Sequence, residues 1–278
     1  HTATVGEAAR EFGCPVYAVA EVADALVNPG AWFLPGLSPN AVDKVTTLAD
    51  GEVLPWKNYK LTAHFFPGQM YNHGALLAER KDHAPVLFVG DSFSPSGLDD
   101  YCLMNRNLMR EDTGFFLCLR KVRGLPEGSW MVNQHIPHLF RFSKERLDLL
   151  EKRYAERRDL IADLTYWDNP NFAIDDRWAS FYPYGQALKS DQGGSLKVQL
   201  WNHSTRGREM RVLLHLPEGI SADQTEVSVK IPARARGQVD FKITTTATAA
   251  PGVKVITADL ASDDFSLERW AEALVKVE

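Results

Sequence analysis

The sequence predicts an α/β layered domain followed by an all-β sandwich, and three observations predict it. Over residues 1–165, short apolar runs alternate with stretches of helical period, the pattern of strands and helices stacked in layers. From Ser195 the helical period stops and period-two alternation takes over, with turn residues at short intervals. Polar residues collect just past the ends of the apolar runs, at the sheet rim where α/β proteins bind ligands. A length of 278 residues suits two domains. The division expected is 1–165, an ordered connector over 166–194, and a sandwich over 195–278.

The elements follow in order. Thr4–Phe12 has the helical period, with Gly13 as its C-terminal stop. Cys14–Val19 is a short buried-strand run. Glu21–Val27 is helical and ends near Asn28-Pro29-Gly30. After a loop rich in Pro and Gly, Lys44–Leu48, Glu52–Leu54, Tyr59–Phe66, Ala75–Glu79 and Val86–Val89 read as strands. Leu98–Met109 and Phe115–Arg123 suit helices, Trp130–Asn133 a short strand, and Ser143 caps a long helix running to about Thr165. The connector carries seven aromatics, from Tyr166 to Tyr184, which argues for packing. Leu196–Leu200, Arg211–Leu216, Glu226–Ile231, Gln238–Thr244 and Lys254–Leu260 alternate with period two, as strands of an immunoglobulin-like sandwich do.

Composition narrows the function. A net charge of -5 gives no reason to expect nucleic acid or an anionic membrane as partner. No apolar stretch is long enough to span a bilayer. The three cysteines, Cys14, Cys102 and Cys118, form no CxxC, and all three are expected as buried thiols. There is no GxSxG, P-loop or GxGxxG.

The chemistry lies in three segments: His64–His73 (HFFPGQMYNH), Val86–Phe93 (VLFVGDSF) and Trp130–His135 (WMVNQH). Each sets a His or Asp at the edge of an apolar strand. Imidazole and carboxylate are the usual ligands of zinc and related divalent ions, and a strand end is rigid enough to hold them. His64, beside Phe65, reads as a packing histidine.

These segments resemble the later motifs of the metallo-β-lactamase fold family. Pro67-Gly68 matches the family's ligand loop, Asp91 the aspartate that bridges two metals, and His135 the final His ligand. The resemblance covers about the first 165 residues and implies a partial αββα sandwich. It implies two zinc ions, or another divalent metal, with Asp91 and His135 as catalytic ligands. A metal-activated hydroxide would attack an ester, amide or phosphodiester-type bond of a small-molecule substrate.

Two departures stand out. Gln69 occupies the position of the loop's usual ligand His, so His73 is expected to take the metal role with Gln69 as a substrate or solvent contact. The HxHxDH motif is absent. The chain opens on His1 just before a helical pattern, so His1 is expected to be the last His of that motif, on a fragment inactive by itself. The expected metal ligands are thus His1, His73, Asp91 and His135.

The polar run after Asp91 (DSFSPSGLDDYCLMNRN) supplies substrate-binding candidates: Asp99, Asp100, Tyr101, Asn105 and Arg106. Asp99 and Asp100 serve equally well as helix caps paired with Arg106. The alternatives to a hydrolase are a metal-free binding module that keeps only the fold, and an iron-dependent redox enzyme on the same fold. The sandwich resembles accessory domains of extracellular enzymes, which leans the expected location outside the cytoplasm.

Overall fold

The structure, a computed structural model, describes residues 2, 4–34, 36–97, 114–165 and 178–278. His1, Asp99, Asp100, Tyr101, Cys102, Asn105, Arg106 and the expected helix Leu98–Met109 lie outside the described residues, as does the connector from 166 to 177. The chain packs as two units: His1–Val27 with Asn40–Leu164, and Asn28–Pro39 with Thr165–Glu278. The described residues are mostly β.

The first unit opens with α1 (Val5–Phe12), which Gly13 ends in the left-handed conformation (φ 60°) that glycine adopts without a steric cost. Strand β1 (Val16–Val19), helix α2 (Ala20–Val27) and strand β2 (Val45–Leu48) follow. β1 and β2 pair in parallel as a separate two-stranded sheet. Cys14 is exposed, contrary to expectation, because the turn at Gly13 places it between elements.

The main sheet has six strands in the order β3 (Val53–Trp56), β4 (Tyr59–Phe65), β5 (Gly74–Arg80), β6 (Val86–Gly90), β7 (Trp130–Asn133) and β8 (Leu139–Phe140). The first four form an antiparallel meander. β7 returns parallel to β6, and β8 turns back antiparallel. The β6–β7 crossover carries α3 (Phe115–Arg123), and α4 (Lys144–Thr165) follows β8. Ser143 Oγ accepts the Arg146 amide at 3.2 Å, the expected N-cap.

Register explains which face is buried. Partners across the ladders align Thr62, Leu77, Leu87, Met131 and Phe140 in one row, and all five are buried. Helices α3 and α4 contribute Phe115, Phe116, Leu119, Leu147, Leu150 and Tyr154 to the buried set, with the Phe115 and Tyr154 rings 5.7 Å apart. The neighbouring row, Ala63, Leu76, Phe88, Val132 and Leu139, points to the opposite face because side chains alternate along a strand. On that face Ala63 is buried in a small core with Val19 and Leu48 of the β1–β2 sheet. Leu76, Phe88 and Leu139 are exposed. The αββα expectation is met only in part: the six-stranded sheet is backed by helices on one face, but its second β layer, among the described residues, is the two-stranded β1–β2 pair.

The second unit is a β-sandwich. One sheet orders β10 (Gly185–Leu188), β17 (Phe265–Val277), β16 (Gly252–Ser262), β12 (Arg208–His215) and β14 (Glu226–Ile231). The other orders β13 (Ile220–Ala222), β15 (Arg236–Thr245), β11 (Gly193–Trp201) and β9 (Ala179–Tyr182). The inward residues of both sheets share one core that includes Trp178, Val198, Phe241, Met210, Ile256 and Val275. The sandwich thus begins at Ala179, ahead of the expected Ser195. Arg208, buried beneath the β16–β17 turn, binds Asp264 and Ser204 and lies 5.3 Å from the Phe265 ring. This pairing is how the core accommodates an always-charged guanidinium.

Candidate metal centre

β6 and β7 run parallel, so their carboxyl ends open on the same rim of the sheet. Gly90 closes β6 with φ 53°, and Asp91, Ser92 and Phe93 follow it. Phe93 is buried and meets Phe66 edge-on at 5.6 Å, which anchors the β6 exit to the β4 exit. Asn133, at the end of β7, is buried too. Its Nδ2 donates to the Phe93 carbonyl at 2.9 Å and its Oδ1 accepts the His135 amide at 3.0 Å. One amide side chain thus ties both strand exits together and fixes where His135 starts.

The result is a contact between the two proposed ligands. His135 Nε2 lies 3.2 Å from Asp91 Oδ1, with the carboxylate only 3% exposed and the imidazole 65% exposed. On the other carboxylate oxygen, Gln69 Nε2 donates to Oδ2 at 3.5 Å. Asp91 is therefore bracketed by an imidazole at the solvent mouth and an amide from the β4–β5 loop.

His73 is held differently. Its Nδ1 and Nε2 lie 3.1 and 3.5 Å from Ser92 Oγ. A Cβ added to Gly90 would stand 2.9 Å from His73 Nε2, so only glycine leaves room for the ring there. Burial pushes the His73 pKa below its ordinary value, against the raising effects of a hydrogen bond to the Phe66 backbone and the Asp91 charge. Ser92 also accepts the Gln69 amide at 3.4 Å, so it links His73 to the loop that carries Gln69. Gly68 makes this approach possible, since a Cβ on it would lie 2.4 Å from Ser92 Cβ.

Among the described residues, no three His, Cys, Asp or Glu side chains are grouped to hold a metal ion. Asp91 and His135 come together, and the third donor beside them is Gln69, an amide. The fit to a divalent cation rests on spacing. The two gaps at Asp91, 3.2 Å to Oδ1 and 3.5 Å to Oδ2, run to opposite carboxylate oxygens, so the imidazole and the amide would share one ion only if Asp91 bound it through both oxygens. Rotating the Gln69 amide by half a turn presents its oxygen in place of its nitrogen. Asp91, His135 and Gln69 are the residues that would hold such an ion.

Sequence reasoning missed Ser92 and Asn133. Ser92 was signalled only by adjacency to Asp91. Asn133 was legible as a polar residue closing an apolar strand, a position that demands a hydrogen-bond partner once buried.

No family model matches the chain, and no curated protein matches it. Among solved structures, it is similar to a B3 metallo-β-lactamase with an active-site glutamic acid, at 21% identity and a TM-score of 0.39, over 58% of this chain and 62% of that one. It is also similar to a metallo-β-lactamase from Staphylococcus aureus, at 16% identity and a TM-score of 0.40, over 56% of this chain and 46% of that one. A third similarity is to the CARDB domain of the PF1109 protein from Pyrococcus furiosus, at 14% identity and a TM-score of 0.28, over 36% of this chain and 85% of that domain. The chain spans about half to three-fifths of the two metallo-β-lactamases it matches.

Proposed function

We propose that the Asp91–His135 rim is part of a zinc-dependent hydrolase centre acting on an ester or amide bond of a small molecule. The observation that supports this reading is the buried Asp91 carboxylate paired with an exposed His135 at the carboxyl ends of two parallel strands. A bound divalent cation supplies Lewis-acid polarisation of the scissile bond and acidifies water to near-neutral pKa. The chain's own residues do the rest. Asp91 holds negative charge at the base of the site. His135 would lend Nε2 to the ion at the solvent-facing mouth of the site. Gln69 orients the second carboxylate oxygen, and His73 acts as a positioning residue through Ser92. Two ions, with His1 as a further ligand and Asp99, Asp100, Tyr101, Asn105 and Arg106 on the substrate side, complete the proposal. The sandwich would serve as an accessory domain of a protein working outside the cytoplasm.

The test is zinc titration of the 278-residue chain by calorimetry. Saturable binding is expected, weakened at least about tenfold by Asp91→Asn or His135→Ala. His73→Ala should weaken it less than either. Absence of zinc binding, or binding that both Asp91→Asn and His135→Ala leave unchanged, overturns the proposal. It would favour the second reading, a metal-free binding module, which Gln69 in place of an imidazole supports. Binding of iron in preference to zinc would favour redox chemistry instead.

A further inference from the structure

The end of the main sheet far from Asp91 carries a second feature. The β3–β4 turn at Lys57-Asn58 and the β5–β6 turn lie side by side, since Tyr59 pairs with Arg80 and Lys60 with Glu79. Between these tips is an open cleft of about 560 Å³, lined by Lys57, Lys60, Arg80 and Lys81 with Glu79 as its one acid. From Pro85 in the cleft to Asp91 the chain follows β6, about 20 Å at ~3.3 Å per residue, so the cleft is separate from the candidate metal centre.

The cations are held, not loose. Lys60 Nζ pairs with Glu79 at 2.9 Å. The Arg80 guanidinium lies 5.6 Å from the Tyr59 ring centroid, and its Nη1 donates to the Tyr59 hydroxyl at 3.5 Å. Lys57 Nζ lies 5.0 Å from the centroid of the exposed Trp56 ring. Lys57 also has φ 53°, the left-handed region where a side chain costs energy and glycine does not. The two-residue β3–β4 turn requires this conformation, and it projects Lys57 from the tip of the hairpin.

We propose that this cleft binds a compact polyanion carrying two or more phosphoryl groups. In a chain of net charge -5, a small basic cleft favours a short, densely charged ligand. An extended nucleic acid would meet the acidic remainder of the surface. Guanidinium and ammonium groups on neighbouring strands suit separate phosphoryl oxygens.

The test is calorimetric titration with inorganic tripolyphosphate in metal-free, low-salt buffer, so that the Asp91 centre does not contribute. Saturable binding is expected, at least about tenfold tighter than orthophosphate and at least about tenfold weaker at 0.3 M salt. Lys57→Gly and Arg80→Gln should each weaken it about tenfold, and Lys57→Gly should do so without lowering the melting temperature. That combination separates a binding lysine from a structural one. No saturable binding, or variants that bind like the parent chain, overturns the proposal. Tighter binding of a single-stranded DNA oligomer than of tripolyphosphate overturns it as well, because the surface would then serve an extended polyanion.

Discussion

Asp91 Oδ1 and His135 Nε2 stand 3.2 Å apart, although one residue leaves β6 and the other leaves β7. Asn133 makes the contact possible by bonding the Phe93 carbonyl and the His135 amide at once. The pair is thus set by two strand exits and one buried amide, a rigid arrangement suited to holding charged groups at fixed separation.

The neighbour on the other carboxylate oxygen sets the softness of the site. Gln69→His would replace an amide with an imidazole beside Asp91 Oδ2. Imidazole suits zinc better than a carbonyl oxygen does, so zinc affinity is expected to rise at least about tenfold, read by calorimetric titration. Unchanged affinity would show that Gln69 does not face the ion.

Close approach at the loop makes Gly68 the most constrained position near the site. A Cβ there would stand 2.4 Å from Ser92 Cβ and 2.7 Å from its Oγ. Gly68→Ala is expected to cost about 1–3 kcal/mol through overpacking, measured as a lower melting temperature. An unchanged melt would mean that the loop shifts freely.

The two faces of the main sheet should respond oppositely to truncation. Leu87 is 1% exposed and its neighbour Phe88 is 45% exposed. Leu87→Ala is expected to cost about 2–5 kcal/mol. Phe88→Ser should stay within about 0.5 kcal/mol. Denaturant unfolding of both variants checks the contrast, and a large loss from Phe88→Ser would show that the Leu76–Phe88 face is covered in solution.

Acid sensitivity of the sandwich should trace in part to Asp264. A hydrogen bond from Arg208 holds its pKa below the ordinary carboxylate value, with Arg206 helping and partial burial opposing. A lowered folded-state pKa means that the unfolded chain binds the proton first, so the stabilisation is complete above the unfolded value of about 3.9 and is lost as pH falls through the folded one. Asp264→Asn is expected to lower the melting temperature at neutral pH and to flatten its decline below about pH 4. A variant with the same acid profile as the parent would remove Asp264 from this role.

Much of the fold was legible because burial imposes period. The strands from Tyr59 to Gly90 and the helices at Val5, Phe115 and Lys144 lie close to where the apolar pattern put them. β17 was not anticipated. Its segment (FSLERWAEALVKV) is rich in residues that favour helices, and pairing with β16 along its length overrides that local preference. β9 and β10 lay hidden among the aromatics of the expected connector, since four-residue strands carry too little pattern to register.

By itself the sequence determined the run of short strands and helices in the first unit, the β-rich segment after it, and the placing of Asp91 and His135 at strand ends, because periodicity and strand length are local properties. Only the tertiary structure decided that Asp91 meets His135 and Gln69 while His73 turns to Ser92. Those choices depend on which strand exits lie side by side and on the space that Gly68 and Gly90 leave empty, and neither is written in the spacing of residues along the chain.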